Sequence, residues 1–227
     1  MRFCYFAIFE GSQSVSAQDL ALVRECVRGL GGLSKGHLYT PAVARDLHAD
    51  GHPSPLFALQ LFFDEISSLE AAIGPRGAVK RLANDGELTR LGNAQITQQA
   101  MLNREVAVPE AAPAARDACS YLVHYPGPAE NLNEWLAHYA ERHLPLMASL
   151  PGVREVEMLT RIDWVDAMPW RRSHHMQRNR VMFDSPEALT AALRSPTRRE
   201  MRQDLEGFPR FSGGNFHFPM TTEVVRP

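Results

Sequence analysis

The sequence predicts an α+β protein built from two tandem copies of one βαββαβ unit, and three observations predict it. The chain repeats itself at an offset of 120 residues: Phe63-Asp64 returns as Phe183-Asp184, Leu69, Ala71 and Ala72 as Leu189, Ala191 and Ala192, and Leu30-x-Gly32 as Leu150-x-Gly152. The match needs no gap from Tyr5/Tyr125 to Leu91/Phe211, and only the last strand drifts, where Glu105-Val106 faces Glu223-Val224. A period this long marks duplication of a whole unit, not a solenoid of short modules. Within each copy, strand-length apolar runs alternate with helix-length stretches. The 227 residues also divide into two units of roughly 100 residues, an ordinary domain size. The expected units are 1–105 and 119–227, joined by an extended, Ala- and Pro-rich linker over 106–118 (Pro109, Pro113).

In the first copy, Arg2–Phe9 is a near-continuous apolar strand, the pattern of burial on both faces. Ser16-Ala17-Gln18 starts a helix that runs to Leu30, where Gly31-Gly32 stops it. Leu33–Ala42 and Leu56–Phe63 are strands, with the Pro53-Ser54-Pro55 turn before the second. Asp64 opens a helix carrying Ile66, Leu69, Ala72 and Ile73; helix resumes at Ala78, and Asn93–Met101 is the last strand. In the second copy, Ser120–Tyr125 is a strand and Glu130–Leu150 a helix kinked near Pro145, because proline removes an i−4 bond. Val153–Trp164 and Gln177–Phe183 are strands. Asp184-Ser185-Pro186-Glu187 starts a helix running to about Leu205, and Gly214–Glu223 closes the unit.

The βαββαβ order is the ferredoxin-like motif. One such unit covers one sheet face with helices and leaves the other to be buried. Two units in one chain can bury those faces together as an intrachain dimeric α/β-barrel with helices outside. The alternative sets the units side by side, each seeking a partner from another chain. Polar and unlike inner faces favour the barrel within one chain, with further homodimerisation expected.

Composition narrows the function classes. A formal net charge of −2 with 22% charged residues gives no reason to expect nucleic acid or an anionic membrane as partner. Cys4, Cys26 and Cys119 are odd in number and lack CxxC spacing, against a disulfide framework or structural zinc. The apolar run Phe3–Phe9 ends at Glu10 with no small-residue cleavage site after it, and no run is long enough to cross a bilayer, so a cytoplasmic protein is expected.

Several segments of the second copy carry a resemblance. Tyr121-Leu-Val-His124-Tyr125, the helix Trp135-Leu-Ala-His138-Tyr139-Ala-Glu-Arg-His143-Leu-Pro145-Leu146, and Leu150-Pro151-Gly152-Val153 resemble the EthD-like branch of the dimeric α/β-barrel superfamily. The resemblance spans 119–224; over 1–105 only the repeat carries it. In the first copy Val23 stands at the place of His143 and Cys4 at the place of His124. The resemblance implies a small-molecule barrel whose helix end at His143 lies near a pocket, with haem at His143 as an alternative.

The residues themselves supply candidates. Leu132, Trp135, Tyr139, His143 and Leu146 fall at spacings of three and four on one helix stripe. An imidazole there is an acid or base near neutral pH, or a cap of the Pro145 kink. Strand alternation puts Glu155, Glu157 and Arg161 on a face opposite Val156, Met158 and Ile162, with Leu159 the exception. Arg178 and Arg180 share a face, and Gln60 and His37 are the first-copy counterparts of Arg180 and Glu157. The expected barrel lumen therefore holds His124, Glu157, Arg180, His217, His37 and Gln60. A structural Glu157–Arg180 ion pair is the simplest reading of that pair.

No metal is expected: His174 and His175, adjacent on an extended segment, point to opposite sides, and no 2-His-carboxylate spacing accompanies them. Gly32-x-Ser34-x-Gly36 matches a nucleophile-elbow pattern, but a helix precedes it and a strand follows, the reverse of what an elbow requires. No phosphate-binding glycine loop is present and no cofactor is implied.

The expected function is cofactor-independent proton transfer (dehydration, isomerisation or lactone rearrangement) on a hydrophobic, oxygenated or aromatic ligand. His143 and His124 are its catalytic candidates, with Arg180, Glu157, Tyr139, Trp135, His217 and His37 contacting substrate. The alternatives are a non-catalytic ligand-binding accessory protein of an oxidative pathway and a haem protein.

Overall fold

Hydrogen-bonding edges, more than faces, decide how the two units meet. The computed structural model describes residues 1–44, 52–83, 94–108 and 118–227. The first unit contributes β1 (Phe3–Glu10), α1 (Ala17–Arg28), β2 (Leu33–Pro41), β3 (Phe57–Phe63), α2 (Ile66–Ile73), a 3-10 turn (Ala78–Ala83) and β4 (Gln95–Val106). The second contributes β5 (Cys119–Tyr125), α3 (Leu132–His138), a π turn (Tyr139–His143), α4 (Leu144–Ala148), β6 (Val153–Arg161), the short β7 (Arg171–Arg172), β8 (Gln177–Phe183), α5 (Pro186–Leu193), α6 (Pro196–Glu206) and β9 (Phe216–Val225). Each unit orders its strands alike, β4-β1-β3-β2 and β9-β5-β8-β6. The free edges then join: β2 pairs with β9 and β4 with β6, so eight antiparallel strands close into a barrel. Closure leaves no unpaired edge in the ring. The intrachain barrel is therefore the arrangement adopted, and β7 adds a two-residue parallel flap beside β4.

Local sequence explains the elements. Ser16 and Asp19 form a reciprocal capping box at the start of α1, and the Ser185 hydroxyl caps α5 ahead of Pro186. Gly32 and Gly152, repeat equivalents, both adopt φ near +70° (72° and 77°) at the turn from helix into strand, a conformation that suits glycine. Each is followed by a β-bulge, between Leu33 and Lys35 and between Val153 and Glu155. The duplication thus reaches the backbone irregularities as well as the elements.

Several boundaries differ from expectation. The helix expected over Glu130–Leu150 is three segments. Proline at 145 cannot donate to a carbonyl in the preceding turn, and the Leu144 amide bonds to the Tyr139 carbonyl, an i→i−5 step. The helix expected over Asp184–Leu205 breaks at Ser195-Pro196 into α5 and α6, and Ser195 caps the second. β6 ends at Arg161, and Trp164 leaves the strand to pack with Met168 and Trp170 into the core of the first unit. β4 runs to Val106, past the expected Met101. Asn93, Pro109 and Pro113 lie outside the described residues.

The barrel separates two kinds of interior. Outside it, α1 and α2 cover one core around Tyr5, Phe9, Val23 and Leu59, and α3 to α6 cover another around Tyr125, Trp135, Tyr139 and Phe183. Inside it, Cys4, Phe6, Phe62, Met101, Leu122, Leu159, Phe218 and Met220 form a third. Leu159, the odd apolar residue on its strand face, belongs to this inner cluster. The lumen also buries charge. Arg180 donates to Glu157 through Nε (2.9 Å) and Nη2 (2.7 Å) and touches Glu155, and Gln60 donates to Glu157 at 3.0 Å. Tyr39 donates to Gln60 at 2.5 Å, and His37 Nδ1 lies 3.0 Å from the Tyr39 hydroxyl. Among described residues, no helix is long and apolar enough to cross a membrane.

Arg180 and Glu157 are both essentially fully buried, and breaking such a pair on one side leaves an uncompensated charge. Glu157→Ala is expected to cost about 3–5 kcal/mol in urea unfolding. The double variant Glu157→Leu/Arg180→Met should cost much less than the sum of the single variants. Additive losses would show that the two groups act independently.

Candidate functional site

His143 is positioned by the π turn. Adding one residue to the helical circuit places His138 and His143, five apart, on one side, and both reach Asp204 of α6. His138 Nε2 lies 3.0 Å from Oδ1, and His143 Nδ1 lies 2.9 Å from Oδ2. An ionised Asp204 accepts from Nδ1–H of His143, which leaves Nε2 as the bare, basic nitrogen. Burial holds the His143 pKa below the usual histidine range, and Asp204 opposes that shift without overcoming it. His143 is therefore neutral near pH 7.

His143 lines a cavity of about 120 Å³ between the second unit's helices and its sheet. About half of the wall is apolar: Val123, Met147, Leu150, Val181, Phe183, Leu189, Leu193, Met201 and Leu205. Polar groups enter at a few points. Tyr139 receives a hydrogen bond from Asn179 Nδ2 and donates to Met147 Sδ at 3.2 Å. Tyr125 also lines the cavity, its ring 5.7 Å from that of Tyr139. Burial pushes both phenols above their ordinary pKa, so at neutral pH they are uncharged groups and not bases. Arg198 and Arg202 of α6 line the same cavity.

The other predicted residues fall into separate places. His217 is the correction: it does not face the lumen. It pairs in register with Val123, lines the His143 cavity and stacks on Tyr121 at 5.2 Å. Cross-strand partners project to the same face, and Val123 faces the helices. Trp135 is fully buried behind the cavity, stacked on Tyr139 at 5.1 Å. His124, Arg180, Glu157 and His37 lie inside the barrel, so the sheet separates His124 from His143. His124 is buried against Arg178, whose Nη1 is 2.9 Å from Nδ1 and 3.0 Å from Nε2 of the ring. His175 joins Arg178 at 2.8 Å. Asp204 was absent from the sequence candidates. Its signal was the stripe Met201, Asp204, Leu205 and Phe208 at helical spacing, which turns an acid toward the apolar face of α6.

Comparison with known proteins places the fold. A candidate monooxygenase from Fusobacterium nucleatum subsp. nucleatum ATCC 25586 superposes with a TM-score of 0.60 at 7% identity, covering 99% of this chain and 94% of its own. An anthrone oxidase-like protein superposes with a TM-score of 0.57 at 13% identity, covering 98% and 92%. An ethyl tert-butyl ether D (EthD) family protein from Bacillus halodurans C-125 also matches, at 17% identity over 48% of this chain and 98% of its own, with a TM-score of 0.34. The first two are similar over nearly their whole length and establish the fold. No protein-family model and no curated protein matches the sequence.

Four histidines, three buried and His175 partly so, are held low, in each case chiefly by burial: His37, His124, His143 and His175, the last to about 2. The unfolded chain protonates them near the ordinary histidine value of about 6.5, whereas the folded chain does not. The unfolded state therefore binds more protons below that pH, and stability falls as pH falls. Each such group contributes a slope of up to about 1.4 kcal/mol per pH unit. Urea unfolding at pH 7.5, 6.5 and 5.5 should show a steepening loss below 6.5. A flat profile would show that these imidazoles are solvated.

Proposed function

We propose that this chain, which has the fold of the dimeric α/β-barrel proteins, is an enzyme that moves a proton on a small, oxygenated hydrophobic compound. His143 is its acid–base group and Asp204 orients the ring. One observation carries the reading: an imidazole whose Nδ1 is engaged by a carboxylate at 2.9 Å also lines a cavity with apolar and polar walls. A carboxylate that fixes the tautomer leaves the opposite nitrogen free to act on whatever the cavity holds.

The chemistry follows from the starting charges. Neutral His143 takes a proton through Nε2, from a hydroxyl or from a carbon beside a carbonyl. The imidazolium so formed gains stabilisation from Asp204. It returns the proton to another atom of the same molecule, giving an isomerisation, or to a departing hydroxyl, giving a dehydration. Tyr139, Asn215 and His217 are placed to orient oxygens of the substrate, and the apolar wall holds its ring. A cavity of about 120 Å³ is close to the roughly 150 Å³ that accommodates a benzene ring, so a single-ring phenol, enol or lactone is the substrate class. The oxidase-like and monooxygenase descriptions of two structural relatives also favour oxygenated substrates.

Haem fits poorly beside His143. The cavity lies below the roughly 300–1,000 Å³ that drug-sized ligands occupy, and a porphyrin is larger than most of those, so no step is routed through it. Arg180 and Glu157 satisfy each other inside the barrel and take no part in this reading.

The test is turnover and binding with a panel of single-ring phenols, enol lactones and cyclic hydroxyketones. His143→Ala should lower kcat by about 10²–10⁴-fold, the usual worth of a positioned acid–base group. Asp204→Asn should lower it less and move the acidic limb of kcat/KM to lower pH, because Asp204 is the group that raises the His143 pKa. Turnover unchanged in His143→Ala would end the assignment. Binding without turnover in the parent chain would replace it with a ligand-carrier reading.

A further inference from the structure

We propose that the end of the barrel lumen around Arg178 is a binding site for a small carboxylate monoanion, separate from the His143 cavity. Arg178 and Arg180 sit two residues apart on the same inward face of β8, and both are buried to 1% exposure or less. Arg180 is neutralised by Glu157 and Glu155. Arg178 has only uncharged neighbours within hydrogen-bonding distance: Gln99 Oε1 at 3.3 Å, Ser173 Oγ at 3.0 Å, His124 at 2.9 Å and His175 Nδ1 at 2.8 Å. The Phe6 ring lies 5.3 Å from its guanidinium carbon. Among the described residues no carboxylate lies within 4 Å of it. The exposed Glu10 at the end of β1 adds only a longer-range attraction.

A guanidinium taken out of water without a counter-charge is expensive. The same strand shows what neutralisation looks like one pleat away, so the lumen holds one positive charge in excess at this end. Burial accordingly pulls the Arg178 pKa down, to about 9, and keeps His124 and His175 unprotonated. Neither imidazole adds positive charge that would have to be overcome as well.

The planar fork of arginine matches the two oxygens of a carboxylate. Access is at His175, the half-buried member of the cluster, on the irregular segment between β7 and β8. A carboxylate entering there exchanges the Nη2–His175 hydrogen bond for a charge-assisted one and keeps Ser173, Gln99 and His124 as its surround. The ligand is accordingly a formate- or acetate-sized group, or the acid end of a longer molecule projecting past His175.

The experiment is thermal unfolding of the full chain at pH 7.5 in sodium formate and in sodium chloride at matched ionic strength. A ligand that binds only the folded state raises Tm in proportion to its occupancy. Formate should raise Tm in a saturable manner and chloride should not. Arg178→Gln should abolish the formate-dependent rise. His175→Ala, a change at a half-exposed position that removes the competing imidazole, should tighten formate binding by about tenfold, the worth of one displaced hydrogen bond. Equal shifts in formate and chloride, no shift in either, or unaltered formate affinity in His175→Ala would each overturn the proposal. None of these readouts involves turnover, so failure here and failure at His143 are separable.

Discussion

Closure of the sheet is the constraint on which the rest depends. An open ferredoxin-like unit leaves two strand edges and one sheet face without partners. Joining β2 to β9 and β4 to β6 satisfies both edges of both units at once. Every strand of the ring then has an inner and an outer face, and successive residues must alternate between them. A single step along β5 takes Val123, under the helices, to His124, in the lumen. Outside the two bulges, polar residues two apart share a compartment and neighbours do not. This alternation keeps the imidazoles of His124 and His143 in different chambers, although the sequence offers them as a pair.

Duplication supplied the frame, and divergence made the two outer cavities unlike. Where the second copy has His143 and Pro145, the first has Val23 and Glu25. Without proline, α1 runs unbroken for 12 residues. With it, the second copy inserts a π turn, and such turns recur where side chains must be re-aimed. The first unit has also filled its outer space. Trp170 packs edge-on against Phe9 at 5.4 Å, with Trp164 and Met168 beside it, all three donated by the loop of the second unit. The first unit is braced by its twin, and the second keeps the cavity that His143 lines.

The repeat made the fold legible because equal spacing of apolar runs survives substitution, and strand parity made the lumen legible because alternation follows from backbone geometry. Glu157, Arg180, His37 and Gln60 were all placed correctly inside the barrel on that basis. Register is not legible in this way. His217 has the same neighbours in sequence whichever face it takes, and only its pairing with Val123 decides. A remote partner is not legible either. Asp204 stands 61 residues from His143, on a helix whose break at Ser195-Pro196 resets its orientation, and no local spacing joins the two. Arg178 was legible as the face-mate of Arg180, but its lack of a carboxylate is a property of the assembled lumen.

The electrostatics around His143 fix its resting charge. Desolvation favours the neutral imidazole, and Asp204 limits how costly the charged form becomes. A group so balanced begins as an acceptor and becomes a donor only after it has taken a proton. On the proposed reading, chemistry that starts by removing a proton suits this cavity better than chemistry that starts by protonating a substrate. His138 shares the same carboxylate, so a positive charge on either ring draws on one negative partner. On the proposed reading, a single proton passes between His143 and its ligand, with Asp204 as counter-charge.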